Sequence, residues 1–251
     1  MFVNKLLLNV INTDMKKFIL LLLLLLTVCI LPAQKRWLFS FGEGYAQYHP
    51  ENLNRTVYTY NYTRSWLTTK MPYFKNAKGW EFMLKRAIGD DGDGGWQFMC
   101  GNFSEINEAS GIETATGLPA KRQVRLSCSN YGFGIYVNAV NGRYFKFSPT
   151  VDLNVMFFRV FTHYENSQPN SYQDDQPVAQ ARIGNTLGFD MEFYAFKWLG
   201  IRVRPFYSQP WARVNMEGLM NYLQGQDGEI MREHMRSYGV TASVILSFGK
   251  D

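Results

Sequence analysis

Beyond its opening leader, the 251-residue chain has no apolar run long enough to cross a bilayer as a helix. Membrane residence of the rest would therefore require a closed β-barrel, the other architecture that satisfies its own backbone. Charge is sparse at 19%, and the basic residues behind the net +5 are scattered, not gathered into a stripe. That argues against a nucleic-acid partner and leaves anionic lipid head groups or lipopolysaccharide phosphates as the natural counterparts of an exported chain. Histidine and cysteine are scarce too, at three each. Aromatic side chains, in contrast, make up 16% of the sequence.

The leader is MKKFILLLLLLLTVCILPAQ, from Met15 to Gln34. A basic start at Lys16-Lys17, an apolar run from Phe18 to Ile30 and a small residue at Ala33 are the layout of a secretory signal peptide. Residues 1–14 read as an upstream start. The expected organisation is a signal over 1–33, cleaved after Ala33, and one domain over 34–251. A lipoprotein signal would acylate Cys29, but Val28 is bulky for the position before such a cysteine.

The mature chain alternates with period two, the mark of strands with one apolar face. In RYFKFSPTVDLNVMFFRVF (143–161), Phe145, Phe147, Val151, Leu153, Val155 and Phe157 share a face opposite Lys146, Asp152 and Asn154. Similar segments at 36–48, 79–88, 95–105, 123–138, 181–196, 200–209 and 237–248 bring the count to eight, the even number of a bacterial barrel. RTVYTYNYTRSW (55–66) also reads as a strand and is placed in the first outer loop, with ten strands as the alternative. In 123–138 the apolar residues change phase near Asn130, for which a bulge is one cause. Pro149 and Pro205 lie inside strands and predict further bulges.

The polar faces carry acids and bases together: Glu81, Asp152, Asp190 and Glu192 with Lys85, Arg125, Lys146, Arg202 and Arg204. In a membrane barrel these line and fill the lumen while the aromatic faces meet lipid. A soluble lipocalin-like barrel would reverse the faces. With the N-terminus in the periplasm, the short links GDDGDGG, AVNG and KWLG fall inside. The long links 49–78, 106–122, 162–180 and 210–236 fall outside, the asymmetry of outer-membrane barrels.

The leader ending in AQ, the hairpin MEFYAFKWLGIRVRP and the terminus SVILSFGKD resemble the small outer-membrane β-barrel proteins of the Bacteroidota, OmpA-like in their barrel. The resemblance implies a last strand read by the outer-membrane assembly machinery, with Phe248 as its terminal aromatic, although GKD trails it. It also implies residence in the outer membrane of a Gram-negative bacterium.

Candidate chemistry is thin. GDDGDGG is dense in Asp and Gly, but Asp90, Asp91 and Asp93 lack the bidentate glutamate of a calcium loop, and hairpin turns use the same residues. His49, His163 and His234 fall in outer loops or at outer rims; a lipid-modifying enzyme would need such a histidine beside a nucleophile, and no hydrolase motif accompanies them. Cys100 and Cys128 sit on consecutive strands and are read as separate lipid-facing thiols, a disulfide being the alternative. Met216, Leu219, Met220 and Leu223 are helically spaced and predict a short amphipathic helix packed on the barrel rim. Nothing in the residues asks for a cofactor. The expectation is a filled, non-enzymatic barrel with a structural or interaction role, its outer loops open to another envelope protein. A lipid-modifying enzyme, a narrow channel and a ligand-binding soluble barrel are the alternatives.

Overall fold

Alternating aromatic and β-branched segments bounded by Gly- and Asp-rich turns pair in sequence order. The computed structural model describes residues 36–88, 93–166, 173–224 and 232–249. The signal-peptide reading, with Met15, Cys29 and Ala33, lies outside them, as do Asp90 and Asp91. Eight long antiparallel strands form the wall: β1 (Trp37–Tyr48), β3 (Asn76–Ile88), β4 (Gly94–Ile112), β5 (Pro119–Val137), β7 (Phe145–Asn166), β8 (Gln173–Phe196), β9 (Leu199–Pro210) and β12 (Ser237–Phe248). Each pairs with the next, and β12 closes the ring against β1.

The register fixes the shape of the ring. Trp37 pairs with Arg86, Arg86 with Trp96, Trp96 with Ile135, Ile135 with Val151 and Val151 with Leu187. Leu187 then pairs with Tyr207, Tyr207 with Tyr238, and Tyr238 with Gln47, ten residues above the starting Trp37. Eight strands with this stagger, at ~3.3 Å rise and ~4.8 Å spacing, tilt by about 40°, the geometry of a narrow closed barrel. The lower links are short: Lys197 and Trp198 alone join β8 to β9, and β6 (Val140–Asn141) folds back on β7.

Several expectations need correction. The segment at 55–66 is not a strand: α1 (Glu51–Thr63) occupies most of it, followed by β2 (Leu67–Thr69), which pairs with β4. The helix forms because Leu53, Val57 and Tyr60, at helical spacing, are buried together in the barrel mouth. Residues 106–112, 119–122, 162–166 and 173–180 are strand, so β4, β5, β7 and β8 rise as a wall above the other four strands.

There is no bulge at Asn130, because β5 keeps one register with both neighbours throughout. Pro149 and Pro205 produce none either. Pro149 lies one residue past the last β5–β7 pair, and the β8–β9 pairing lapses opposite Pro205 and resumes in the same register. A register shift does occur between Val160 and Thr162, beside Pro177 on β8.

Candidate functional site: a filled lumen beneath an extracellular cap

The two halves of the barrel bury opposite kinds of side chain. In the lower half, the outward face carries the large apolar residues, among them Phe133, Ile135, Leu153, Ile201 and Val244, all exposed. Tyr45, Trp80, Tyr131, Tyr207 and Tyr238 ring its upper edge, while Trp37, Trp96, Phe145, Phe193 and Phe248 ring the lower. Apolar outside between two aromatic girdles is the surface of a membrane barrel, and the soluble lipocalin-like arrangement is overturned by it.

The lumen at this level is packed with charge. Arg202 Nη2 lies 2.5 Å from Glu81 Oε1, and Arg204 Nη2 lies 2.6 Å from Asp152 Oδ2. Arg204 also stands 3.5 Å from Glu81 and 3.7 Å from Asp190. Lys85 pairs with Asp190 and, at 2.7 Å, with Glu192, while its ammonium lies 4.7 Å from the centre of the Tyr136 ring. Neutral donors complete the set: Gln97 Nε2 donates to Asp152, Thr241 to Glu81 and the Tyr194 hydroxyl to Glu192. Four carboxylates and three cations from four strands thus form one network, all of them buried. Glycine makes room for it: a Cβ at Gly188 would stand 2.7 Å from Arg204 Nε, and one at Gly134 would collide with the Asp152 carboxylate.

Of the nine charges read as luminal, eight face inward and one does not. Lys146 is on the inward face at the periplasmic end, half-buried and in register with Glu192. Arg125 is outward and exposed, a correction whose cause is the unbroken register of β5. Above the membrane the apolar residues of that strand, Val124 and Leu126, turn inward, so the polar residues there face out. Among the luminal partners, Gln97 and Tyr136 escaped the sequence reading; their inward parity on strands was the available signal.

In the upper half the lumen holds an apolar core. Val124, Leu126, Met156, Phe158 and Val160 from the wall pack with Leu53, Val57 and Tyr60 of α1. Met216, with Leu219 and Leu223 of α2 (Glu217–Gln224), joins the same core; Met220's side chain lies outside the described residues. The cap is fixed by hydrogen bonds as well. Asn61 both donates to and accepts from the backbone of Met71, each at 2.9 Å, and Asn54 clamps Phe74 in the same way at 2.9 and 2.7 Å.

At the start of α1, Glu233 accepts from the backbone N–H of Asn52 at 2.6 Å and Leu53 at 3.3 Å, a cap supplied from β11 (Arg232–Glu233), which pairs with β10 (Val214–Asn215). The opposite face of α1 is open. Tyr58 and Tyr62 stack at 6.2 Å with planes 12° apart, both exposed, with exposed Tyr73 on the following loop.

The remaining candidates are dispersed. His49 lies against Tyr238, His163 Nδ1 is 2.6 Å from Asp174 on the outer wall, and His234 accepts from Arg213. Among the described residues no three His, Cys, Asp or Glu side chains converge as a metal-holding group. Cys100 and Cys128 are both free. Their side chains project to opposite faces of the wall, Cys128 into the buried interior, so the reading of two lipid-facing thiols is corrected for Cys128.

The fold is that of an eight-stranded outer-membrane-type β-barrel, sealed by a charged layer below and an apolar cap above. It is similar to the solved structure of Ail, the attachment invasion locus protein of Yersinia pestis, at 7% identity and a TM-score of 0.45, over 85% of this chain and 100% of that one. It is also similar to the outer membrane protein OprG of Pseudomonas aeruginosa, at 8% and 0.43 over 87% and 98%, and to Neisserial surface protein A, at 9% and 0.36 over 84% and 96%. No protein-family model and no curated protein matches the sequence. The assignment of the barrel rests on its own register and face alternation.

Proposed function

We propose that the protein is a non-enzymatic outer-membrane barrel of the Bacteroidota type whose role is to hold an interaction surface rigidly above the outer leaflet. One observation carries this reading. Helix α1 buries Leu53, Val57 and Tyr60 in the barrel mouth while presenting the stacked Tyr58–Tyr62 pair outward. Exposed aromatics on a fixed backbone suit partner recognition, because little conformational entropy remains to be lost on binding. The partner is another envelope protein, so the chain serves as an accessory of a larger complex. The buried Arg202 and Arg204 layer speaks against a channel. The His163–Asp174 contact is the observation on which the lipid-modifying alternative would rest. Phe248 at the end of β12 is assigned to recognition by the assembly machinery.

A photo-crosslinking residue at position 62 in intact cells tests the reading. It should capture one envelope protein, and Tyr58→Ala should abolish that product. Conductance steps in planar bilayers, or altered lipid A by mass spectrometry, would overturn the reading.

A further inference from the structure

The outer surface of the raised wall carries two cations that neither the lumen nor the cap uses. On β7 the outward residues are apolar from Phe145 to Phe157, with only Pro149 between, and Arg159 is the next. On β5 the outward series Val137, Ile135, Phe133, Tyr131, Ser129 and Ser127 ends at Arg125. Each arginine is thus the first outward charge met above the lipid belt on its strand, and the two strands are neighbours. Arg125 pairs in register with Phe161 and Arg159 with Ser127, so the guanidinium groups are diagonal neighbours on one face, roughly 7 Å apart at the backbone.

Both are exposed, and neither has a hydrogen bond, ion pair or ring contact among the described residues. The flanking outward positions carry no acid at that level: Ser104 and Ile106 on β4, Ala179 and Ala181 on β8. Glu108, higher on β4, is held by Lys121 at 2.9 Å. Arg125, Ile106, Gln123 and Phe161 also line an open cavity of about 440 Å³, whose upper end is formed by His163, Asp174 and Asp175. The Asp174 carboxylate is occupied by His163.

We infer that Arg125 and Arg159 form a docking site for the phosphate of an outer-leaflet glycolipid. Acyl chains would lie along Val155 and Phe157, the phosphate would meet the two guanidinium forks, and the sugar would enter the cavity beside Gln123. Guanidinium is suited to this task because its planar fork donates two parallel hydrogen bonds to phosphate oxygens. Its position above a continuous apolar strip selects a lipid-borne phosphate over a free one. The inference rests on the outer-membrane reading and deepens it by naming the surface that meets lipopolysaccharide.

The test uses the full chain refolded into phosphatidylcholine vesicles with or without diphosphoryl lipid A, and retention of lipid A is read by native mass spectrometry. The Arg125→Gln, Arg159→Gln double variant should retain lipid A at least about tenfold more weakly than the wild type, since both charged forks to the phosphate are lost. Arg86→Gln, at the periplasmic girdle, should not differ from wild type. Dephosphorylated lipid A should bind both forms alike, and inorganic phosphate should fail to compete. Equal retention by the double variant, or full competition by inorganic phosphate, would overturn the glycolipid site. Failure to give a heat-modifiable barrel in either vesicle would remove the membrane reading itself and the site with it.

Discussion

Arg204 and Asp152 face each other across the lumen at 2.6 Å, with neither side chain in contact with solvent. Arg204 also stands near Glu81 and Asp190, so it answers three carboxylates at once. Removing it leaves buried negative charge without a counterion, a change that costs about 3–5 kcal/mol in comparable pairs. Arg204→Ala should therefore unfold at a markedly lower temperature, read from loss of the compact gel band on stepwise heating. Replacing both partners, Arg204→Met with Asp152→Leu, should recover much of the loss. An Arg204→Ala barrel as heat-stable as the parent would show that the layer does not hold the fold.

Asn54 and Asn61 each satisfy both backbone groups of a residue in the chain that returns from α1. Alanine at either position strands a donor and an acceptor, at about 1–3 kcal/mol per unsatisfied buried group. Trypsin should then cleave at Arg55, Arg64 or Lys70 far faster in Asn61→Ala than in the parent, while the barrel band survives boiling-free electrophoresis. Unchanged cleavage would place the rigidity of the cap in its apolar contacts alone.

How much of this was legible in the sequence depended on which solvent each segment faces. Between the girdles, lipid outside and packed charge inside impose opposite demands on alternate residues, so Val151, Asp152 and Leu153 announce both strand and face. Above the girdles the same strand meets water outside and an apolar core inside. The apolar parity of β5 therefore inverts at Asn130 without any change of backbone register. A reader of the pattern sees a bulge and draws Arg125 into the lumen. Helix α1 was hidden for another reason. Tyr58, Tyr60 and Tyr62 alternate like a strand, yet the segment is held by Leu53, Val57 and Tyr60 inserting into a barrel mouth that only the assembled wall creates. The network's pairings, such as Lys85 with Asp190, depend on stagger around the ring, which no single strand encodes.

Glu233 gives the cap a pH dependence. Burial holds its carboxyl above the ordinary carboxylate range, against the lowering pull of the Asn52 and Leu53 N–H groups. An acid with a raised folded pKa binds its proton more tightly in the folded form. Its contribution is therefore most favourable below the usual carboxylate range and declines as pH climbs through the raised value. A nitroxide at position 62 should thus become more mobile from acid to neutral pH. Glu233→Gln, which keeps an acceptor oxygen but cannot ionise, should flatten the profile. A profile of unchanged slope in that variant would assign the dependence to another group.

Phe248 separates the address from the wall. Its ring is about half exposed on the outer face, edge-on to Phe39 at 5.8 Å, and its backbone pairs with Trp37 to close the barrel. Alanine keeps that backbone pairing and removes one lipid-facing ring among many, so refolding into detergent should proceed with nearly the parental yield. If the ring is what the assembly machinery reads, Phe248→Ala should accumulate in the periplasm of cells while refolding normally in the tube. Phe39→Ala, which removes the ring's neighbour and leaves the last strand intact, should assemble in both settings. Equal cellular assembly of Phe248→Ala and the parent would reduce Phe248 to a girdle residue, and a matching defect in detergent would make it a structural one.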